Sequence, residues 1–242
     1  MNLRILSPGR IGQEIGIVTR QRTASSRHAF GSDLFVPAVY AAPGFHVVRR
    51  VCDVLGASAA LLAMLLPCMM IALLIKLESP GPVLFRQKRV GQDGEEFWFY
   101  KFRSMVVDAE ARRKALIRMN EASGPVFKIR NDPRITRVGR FIRKFSLDEV
   151  PQLVNVLKGD MSLVGPRPAL PSEVEQYSDR QRARLLVKPG ITGLWQVSGR
   201  SDLPFERSIE LDLEYIANQT FPLYVRILLM TLPAVLEGRG AY

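Results

Sequence analysis

Histidine and cysteine are scarce in this sequence, with two of each in 242 residues. So few imidazoles disfavour a histidine-based zinc site and a histidine general base. Cys52 and Cys68 lie on one continuous segment, in or beside the most apolar stretch, and are therefore poor candidates for a disulfide. We expect carboxylates and cations to carry any chemistry, and the cysteines give no indication of an oxidising compartment.

Acidic residues are also few relative to basic ones. The 23 Asp and Glu residues face 34 Lys and Arg residues, which gives a net charge of +11 and a pI near 10.1. This balance calls for an anionic partner such as nucleic acid, a membrane surface or a phosphorylated substrate. The opening MNLRILSPGR lacks an apolar core long enough for a signal peptide. Residues 1–45 are expected to form a mostly disordered basic arm.

One stretch, from Val54 to Ile75, has no charged residue at all: VLGASAALLAMLLPCMMIALLI. It is long enough to cross a bilayer whose hydrocarbon core is roughly 30 Å thick. Pro67 lies past its middle and removes a helix hydrogen bond, which bends a helix. Cations flank both ends, which favours both ends on the cytoplasmic face. The sequence therefore favours a re-entrant helix over residues 50–77 within a membrane-associated domain, residues 46–242, with a single crossing and a buried core helix as alternatives.

A β-hairpin is predicted after the turn-rich SPGP. Val83 to Val90 and Glu96 to Phe102 are β-prone, and residues 91–94, GQDG, form the turn. The second strand interleaves aromatic residues with Lys101 and Arg103, a composition that suits a lipid headgroup interface and also single-stranded nucleic acid. Residues Val106 to Asn120 are predicted to form a charged, solvated helix.

The segment from Pro133 to Asp160 contains two adjacent carboxylates, Asp148 and Glu149, at the junction of two predicted helices. Before them, apolar residues recur at helical spacing between arginines, which is typical of a helix on an anionic surface. Residues 146–149, SLDE, match a capping box, which would place Asp148 in a first turn that favours ionised carboxylates and phosphate oxygens. Pro151 implies that this helix bends there or starts later. The alternative is that both acids belong to an ordinary helix start.

The C-terminal third presents arginines in two loops stiffened by glycine and proline. Arg167 in VGPRP and Arg200 in KPGITGLWQVSGR suit bidentate phosphate recognition, although solvated arginines in tight turns are an equal alternative. Residues 205–216 are predicted to be helical, with Asp212 on or near the edge of the apolar face, where a structural salt bridge would also explain it. Residues 221–236 are apolar but interrupted by prolines, and are expected to lie along the membrane interface.

Four segments together resemble the bacterial sugar transferase family, the monotopic phosphoglycosyl transferases that begin exopolysaccharide, capsule, O-antigen or glycoprotein glycan assembly. They are KFRSM (101–105), RKFSLDEVPQLVNVLKGDMSLVGPRP (143–168), KPGITGLWQVSGR (188–200) and ELDLEY (210–215). The resemblance covers roughly Arg49 to Glu237, with the motifs in family order. Together with the patterns above it implies a helix-rich, mixed α/β fold. A re-entrant membrane helix hairpin, a small β-hairpin and amphipathic interfacial helices would surround a cytoplasmic catalytic core.

The resemblance implies transfer of a sugar-1-phosphate from a UDP-sugar to undecaprenyl phosphate, with Mg²⁺ required and UMP released. Asp148 would be the nucleophile that forms a phosphosugar intermediate, while Glu149 could act as base, metal support or orienting group. The same match implies three further roles. Phosphate would be bound by Lys101, Arg103 and Arg167, and the nucleotide by Arg200. Asp212 would be an active-site carboxylate that holds the metal together with Asp148.

The expected location is the bacterial inner membrane, with the catalytic part on the cytoplasmic face and membrane lipid as a further partner. Nucleic acid is not expected, and a homodimer is left open. Two departures from the family pattern matter: Leu66 stands before Pro67 where many members have serine, and the chain resembles the short catalytic form of larger members.

Two other classes of protein remain as alternatives. A non-catalytic basic membrane-surface protein would gain nothing from an acidic pair facing anionic headgroups. A nucleic-acid binder would not need the uncharged stretch.

Overall fold

The computed structural model describes residues 44–121 and 124–238. The predicted basic arm, residues 1–45, lies outside the described residues except for its last two positions. The helices and strands, in chain order, are α1 (Phe45–Ala63), α2 (Leu65–Glu78), β1 (Leu84–Val90), β2 (Glu96–Phe102), α3 (Ala109–Leu116), α4 (Arg137–Lys144), α5 (Leu153–Lys158), β3 (Ser162–Val164), α6 (Pro171–Val174), α7 (Asp179–Arg182), β4 (Gly190–Thr192), α8 (Leu194–Ser198), α9 (Phe205–Ala217) and α10 (Phe221–Glu237).

The uncharged stretch forms a bent pair of helices. Helices α1 and α2 meet at Met64 with an angle of 60° between them. Pro67 lies in the first turn of α2 and has no N–H to donate to the Ala63 carbonyl at the end of α1, which accounts for a break at this point. Within the described ranges, no single helix is long and apolar enough to cross a membrane, whereas this bent pair reaches that length and hydropathy when its two helices are taken together.

Strands β1 and β2 form the predicted antiparallel hairpin, with Leu84 opposite Phe102 and Val90 opposite Glu96. The turn between them is a single 3-10 turn, Gln92–Gly94, in which Asp93 adopts a left-handed conformation. The strand bounds agree with the prediction to within one residue.

A second, parallel sheet was not predicted. In it, β3 pairs with β4, so that Ser162 lies opposite Gly190 and Val164 opposite Thr192. The two backbone segments approach so closely that a Cβ at Gly190 would overlap the nitrogen of Gly165. This pairing brings the VGPRP loop after β3 beside the segment that leads into α8.

The helices depart from the predictions mainly in length. Residues 106–120 form only the short helix α3 and a 3-10 turn, Ile117–Met119. Helix α9 has the predicted bounds to within one residue, and its predicted apolar residues Ile209 and Ile216 are buried. The interruptions expected in residues 221–236 do not occur, since α10 is continuous, with Pro222 in its first turn and Pro233 near its end.

Three apolar clusters hold the described part of the chain together. The largest joins α9 and α10 to the region of β3. The second packs Phe99 of β2 against α5 and Ala57 of α1, and the third packs Phe102 of β2 against α2 and α4. Strand β2 therefore contacts both halves of the bent helix pair. The fold is mixed α/β and rich in helix, as predicted.

Buried charged side chains fasten the start of the bent pair to the rest of the chain. In α1, Asp53 is 3% exposed, and one of its oxygens accepts hydrogen bonds from Ser162 Oγ at 3.0 Å, the Leu163 amide at 2.8 Å and Tyr224 Oη at 2.8 Å. Arg49, one turn earlier, donates to Gln219 Oε1 at 3.1 Å. The first half of α1 is thus docked against β3 and α10.

Arg103 fastens the C-terminal end of the bent helix pair. Its guanidinium donates to the carbonyls of Ile75, Ser79 and Pro80 and to Ser79 Oγ, at 2.8–3.4 Å. These acceptors lie at or just beyond the C-terminus of α2, where helix carbonyls lack intrahelical partners. A cation here also interacts favourably with the helix dipole.

Candidate active site

The two adjacent carboxylates lie in a 3-10 helix, Leu147–Gln152, which leads directly into α5. The predicted capping box is wrong: Ser146 adopts a left-handed conformation with φ of 53°, and its side chain caps nothing. The predicted effect of Pro151 is confirmed, because the α-helix starts only at Leu153. We call Asp148 and Glu149 the dyad.

Lys101 of β2 contacts both members of the dyad. Its Nζ lies 2.9 Å from Glu149 Oε1 and 3.7 Å from Asp148 Oδ2. The side chain reaches this position because β2 packs directly against the 3-10 helix that carries the dyad. Of the predicted phosphate-binding residues, Lys101 is seen in direct contact with both carboxylates.

The two dyad carboxyls respond differently to their surroundings. Burial raises the pKa of Asp148, and the charge of Glu149 adds to this, while Lys101 and Arg143 oppose it without cancelling it. Burial also acts to raise the pKa of Glu149, but Lys101, Arg167 and Arg200 outweigh it and lower that pKa. The closer contact with Lys101 explains why Glu149 is the more acidic member. Asp148 is the more basic carboxylate, and therefore the better nucleophile of the two once ionised.

Cations from several elements act on the dyad. Arg143 comes from α4, Arg167 from the loop after β3, and Arg200 from the turn after α8. Sequence reasoning predicted Arg167 and Arg200 but missed Arg143. The available signal was its place five positions before Asp148, on the cation-edged helix.

Arg103 has a different set of partners from the one predicted. It is 7% exposed, and its hydrogen bonds go to the C-terminal end of α2. Those contacts engage its guanidinium at the end of α2, and the phosphate-binding role of Arg103 stays a prediction. The sequence could not distinguish it from Lys101, which lies two residues earlier, near the end of β2.

The segment around Arg200 contains several unpaired polar atoms. Within the described ranges, the buried atoms without a hydrogen-bond partner include Trp195 Nε1, Gln196 Oε1 and Arg200 Nη1. A buried polar group without a partner costs about 1–3 kcal/mol. The three atoms offer both donors and an acceptor, which suits a polar ligand in the loop predicted to bind the nucleotide.

Asp212 is fully buried and forms a salt bridge with Arg184, whose Nη2 lies 2.7 Å from Asp212 Oδ2. Burial raises the pKa of Asp212 to about 6, against the effect of Arg184. Arg184 also donates to the backbone carbonyl of Arg167 at 3.3 Å, so that this pair supports the VGPRP loop. The alternative considered from the sequence, a structural salt bridge, describes these contacts. Asp212 Oδ1 is nevertheless buried without a partner.

The donors needed for a magnesium ion are partly present. Among the described residues, no group of three or more His, Cys, Asp or Glu side chains could hold a metal ion. Magnesium, however, is commonly bound by one or two carboxylates together with substrate phosphates. The dyad provides two adjacent carboxylates, which fit a magnesium site completed by a phosphate ligand. Among the described residues Asp212 is not grouped with the dyad, and the metal-binding roles of Asp148 and Asp212 stay predictions.

The sequence was compared with protein families and with known proteins to find the family of this chain. The family model described as bacterial sugar transferase matches residues 45–238. The chain belongs to the bacterial sugar transferase family. It is 47% identical over 196 residues to the galactosyl transferase CpsE of Streptococcus agalactiae, covering 81% of this chain and 43% of the relative. It is 49% identical over 170 residues to the undecaprenyl-phosphate galactose phosphotransferase of Salmonella typhimurium, covering 67% and 35%.

The sugar transferase relatives differ in length. The chain spans less than half of the two proteins just named. By contrast, it spans 99% of the exopolysaccharide production protein ExoY of Rhizobium meliloti, to which it is 37% identical over 224 residues that cover 90% of this chain.

Proposed function

We propose that this chain transfers a sugar-1-phosphate from a UDP-sugar to undecaprenyl phosphate and releases UMP, the first membrane step in the assembly of an exopolysaccharide or related polymer. The observation that carries this proposal is the dyad, in which buried Asp148 and half-buried Glu149 share a contact with Lys101 and feel the charges of Arg143, Arg167 and Arg200. The names of the relatives support it, since one acts on undecaprenyl phosphate and another belongs to exopolysaccharide production.

In the first step, an oxygen of ionised Asp148 attacks the phosphorus nearer the sugar. A bond forms between that oxygen and phosphorus, and the bond from phosphorus to the bridging oxygen of the diphosphate breaks. The bridging oxygen leaves as part of UMP. A carboxylate is a competent covalent nucleophile, and the product is an acyl phosphate that carries the sugar.

In the second step, an oxygen of undecaprenyl phosphate attacks the same phosphorus. The bond to Asp148 breaks, and the aspartate returns to its ionised form. The product is the lipid diphosphate sugar. No proton has to be abstracted from the acceptor if its phosphate oxygen is ionised, and Glu149 is therefore proposed to orient Lys101 and support the metal.

The surrounding cations stabilise charge that develops on the diphosphate. Lys101 and Arg167 are proposed to bind the phosphates, and Arg200 with its unpaired neighbours Trp195 and Gln196 to bind the nucleotide. Magnesium, held by Asp148 with Asp212 as a further predicted ligand, would neutralise diphosphate charge when bound.

We further propose that α1 and α2 form a re-entrant hairpin in the bacterial inner membrane, with the catalytic part on the cytoplasmic face. Two contacts support this: Asp53 docks the start of α1 against β3 and α10, and Arg103 docks the end of α2 against the segment just after β2. Between them, large apolar side chains are exposed, among them Leu62, Leu66 and Met69 at 75%, 75% and 61%. The homodimer stays a prediction.

Topology can be tested with single cysteine labels at residues 48 and 90 in a variant that lacks Cys52 and Cys68. A re-entrant hairpin predicts that an impermeant reagent labels both positions from the same side of the membrane. Labelling from opposite sides would replace the hairpin with a full crossing.

The activity is tested with purified protein in detergent, supplied with Mg²⁺, undecaprenyl phosphate and a panel of UDP-sugars. The proposal predicts release of UMP with at least one donor, dependent on the lipid phosphate for continued turnover. Binding to anionic vesicles without UMP release from any donor would instead favour the non-catalytic membrane-surface protein.

A further inference from the structure

Asn155 occupies an unusual position in α5. Its side chain is 0% exposed and binds the edge of β2 that faces away from β1. Asn155 Nδ2 donates to the Trp98 carbonyl at 2.6 Å, and the Tyr100 amide donates to Asn155 Oδ1 at 3.3 Å. These are the two backbone groups that a neighbouring strand would bind, so the amide takes the place of a third strand at this point.

The amide is itself held in place. Asn155 Nδ2 also donates to Asp160 Oδ2 at 3.1 Å, and the Asp160 amide donates back to the Asn155 carbonyl at 3.0 Å. The chain closes this loop at Gly159, which takes a left-handed conformation with φ of 91°. Asn155 therefore presents its amide to β2 in one orientation.

The two elements that Asn155 connects carry the reacting groups. Strand β2 carries Lys101, the residue after Tyr100. The 3-10 helix that carries Asp148 and Glu149 runs without interruption into α5. A shift between β2 and α5 would therefore change the distances from Lys101 to both carboxylates.

Apolar packing alone would not fix that distance. Phe99 packs against Leu153 and Val156 in the same interface, but burial of apolar surface is non-directional. A slip of one residue along a strand moves a side chain by about 3.4 Å. That displacement is as large as the 2.9 Å contact between Lys101 and Glu149. The two hydrogen bonds of Asn155 to β2, by contrast, are directional.

We propose that Asn155 is a positioning residue, which holds β2 in register against the dyad so that Lys101 stays in contact with Asp148 and Glu149. Its effect on turnover rests on the proposed function, whereas the placement of Lys101 can be measured without any activity.

The test measures how fast Lys101 reacts with a limiting amine-acetylating reagent, by mass spectrometry of the digested protein. Lys88 is the internal reference, because it lies on the same hairpin and pairs with Glu96 at 2.8 Å. Asn155→Ala removes the amide, and Asn155→Asp keeps its shape and the acceptor for Tyr100 but loses the donor to Trp98. In both variants the ratio of Lys101 to Lys88 labelling is expected to rise on the order of threefold or more, because a charge-assisted contact is lost.

Two matched controls are expected to leave the ratio at the wild-type value. Asn218→Ala removes an amide that donates to the Glu214 carbonyl at 2.9 Å in α9. Lys158→Ala removes a second, exposed contact between α5 and β2, in which Lys158 Nζ meets Tyr100 Oη at 3.1 Å. An unchanged ratio in the Asn155 variants would overturn the proposal. The ratio also stays unchanged if the labelling rates of Lys88 and Lys101 rise equally. In that case Asn155 would only stabilise the hairpin, and the proposal would fail.

A double-mutant cycle provides the activity readout. Asn155→Ala is expected to slow UMP release roughly tenfold to a hundredfold, as small displacements of a catalytic group do. Added to Lys101→Met, it should cause no further loss, because it acts through Lys101. Additive losses would contradict the proposal. If the wild type releases no UMP, the proposed function fails, and the labelling ratio still decides the role of Asn155.

Discussion

Two buried aspartates of this sugar transferase, Asp53 and Asp148, have opposite surroundings. Asp53 is 3% exposed, and three donors converge on a single oxygen, from Ser162, Leu163 and Tyr224. That oxygen is fully engaged in joining α1 to β3 and α10. Such a side chain holds a structure together and has little capacity left for chemistry.

Asp148 is almost as buried, at 5% exposed, but is much less engaged. Its nearest cation, Lys101, lies 3.7 Å away and donates its short bond to Glu149 instead. Within the described ranges, no side chain donates a hydrogen bond to Asp148. The comparison teaches that burial does not by itself mark a reactive carboxylate. What distinguishes Asp148 is burial without the donors that would fully stabilise its charge.

Replacement by Asn should lower turnover at Asp148 and lower stability at Asp53. The effect of Asp148→Asn on turnover is the largest that we expect. Loss of the proposed nucleophile should reduce UMP release on the order of a thousandfold or more. The midpoint of thermal unfolding should stay the same or rise, because a buried and poorly paired charge is removed. Both quantities are measured on the purified variant, and normal turnover would show that Asp148 is not the nucleophile.

Lys101→Met sharpens the comparison by removing the cation that opposes burial at Asp148. UMP release should fall about a hundredfold, since one preorganised charge is lost. The positive charge of Lys101 lowers the pKa of Asp148, so its removal should raise that pKa further. Because the proposed reaction needs ionised Asp148, the acid limb of the pH–rate profile should move to higher pH.

Lys88→Met is the matched control for this experiment. Lys88 forms an exposed salt bridge on the same hairpin, and surface pairs of this kind contribute little. Its substitution should leave both the rate and the acid limb unchanged. A shift to lower pH in the Lys101 variant would contradict the assignment of the acid limb to Asp148.

The smallest effect on turnover is expected for Asp53→Asn. Three hydrogen bonds to a charged oxygen become weaker, which should lower the free energy of unfolding by about 2 kcal/mol. Turnover per folded molecule should remain within about twofold of the wild type, since surface and structural contacts remote from the dyad do not enter the reaction. Thermal unfolding combined with kinetics tests this, and a large loss of activity without loss of stability would break the comparison.

The parts of the fold that could be predicted are those determined by local sequence. The hairpin follows from alternating β-prone residues around a glycine-rich turn, and α9 from apolar residues at helical spacing. The break near Pro67 follows from its missing donor. The dyad was found because two acids stand together among cations. The late start of the helix at Leu153 follows from the missing donor of Pro151.

What could not be predicted depends on residues far apart in the chain. Ser162 and Gly190 belong to strands of three residues each, too short to show a pattern before they pair. Arg103 and Lys101 look alike in sequence, and only the folded structure shows that Arg103 contacts α2 whereas Lys101 contacts the dyad. The capping box failed because Ser146 is held in a left-handed conformation as the chain turns from α4 into the dyad.

The central claim, that the carboxylate of Asp148 carries the sugar phosphate during turnover, is tested most directly by mass spectrometry of enzyme quenched in acid after mixing with its UDP-sugar in the absence of lipid acceptor. The account predicts one added sugar phosphate on the peptide that contains Asp148, absent from the Asp148→Asn variant and lost when undecaprenyl phosphate is supplied. No adduct under these conditions, together with sequential instead of ping-pong kinetics, would contradict it.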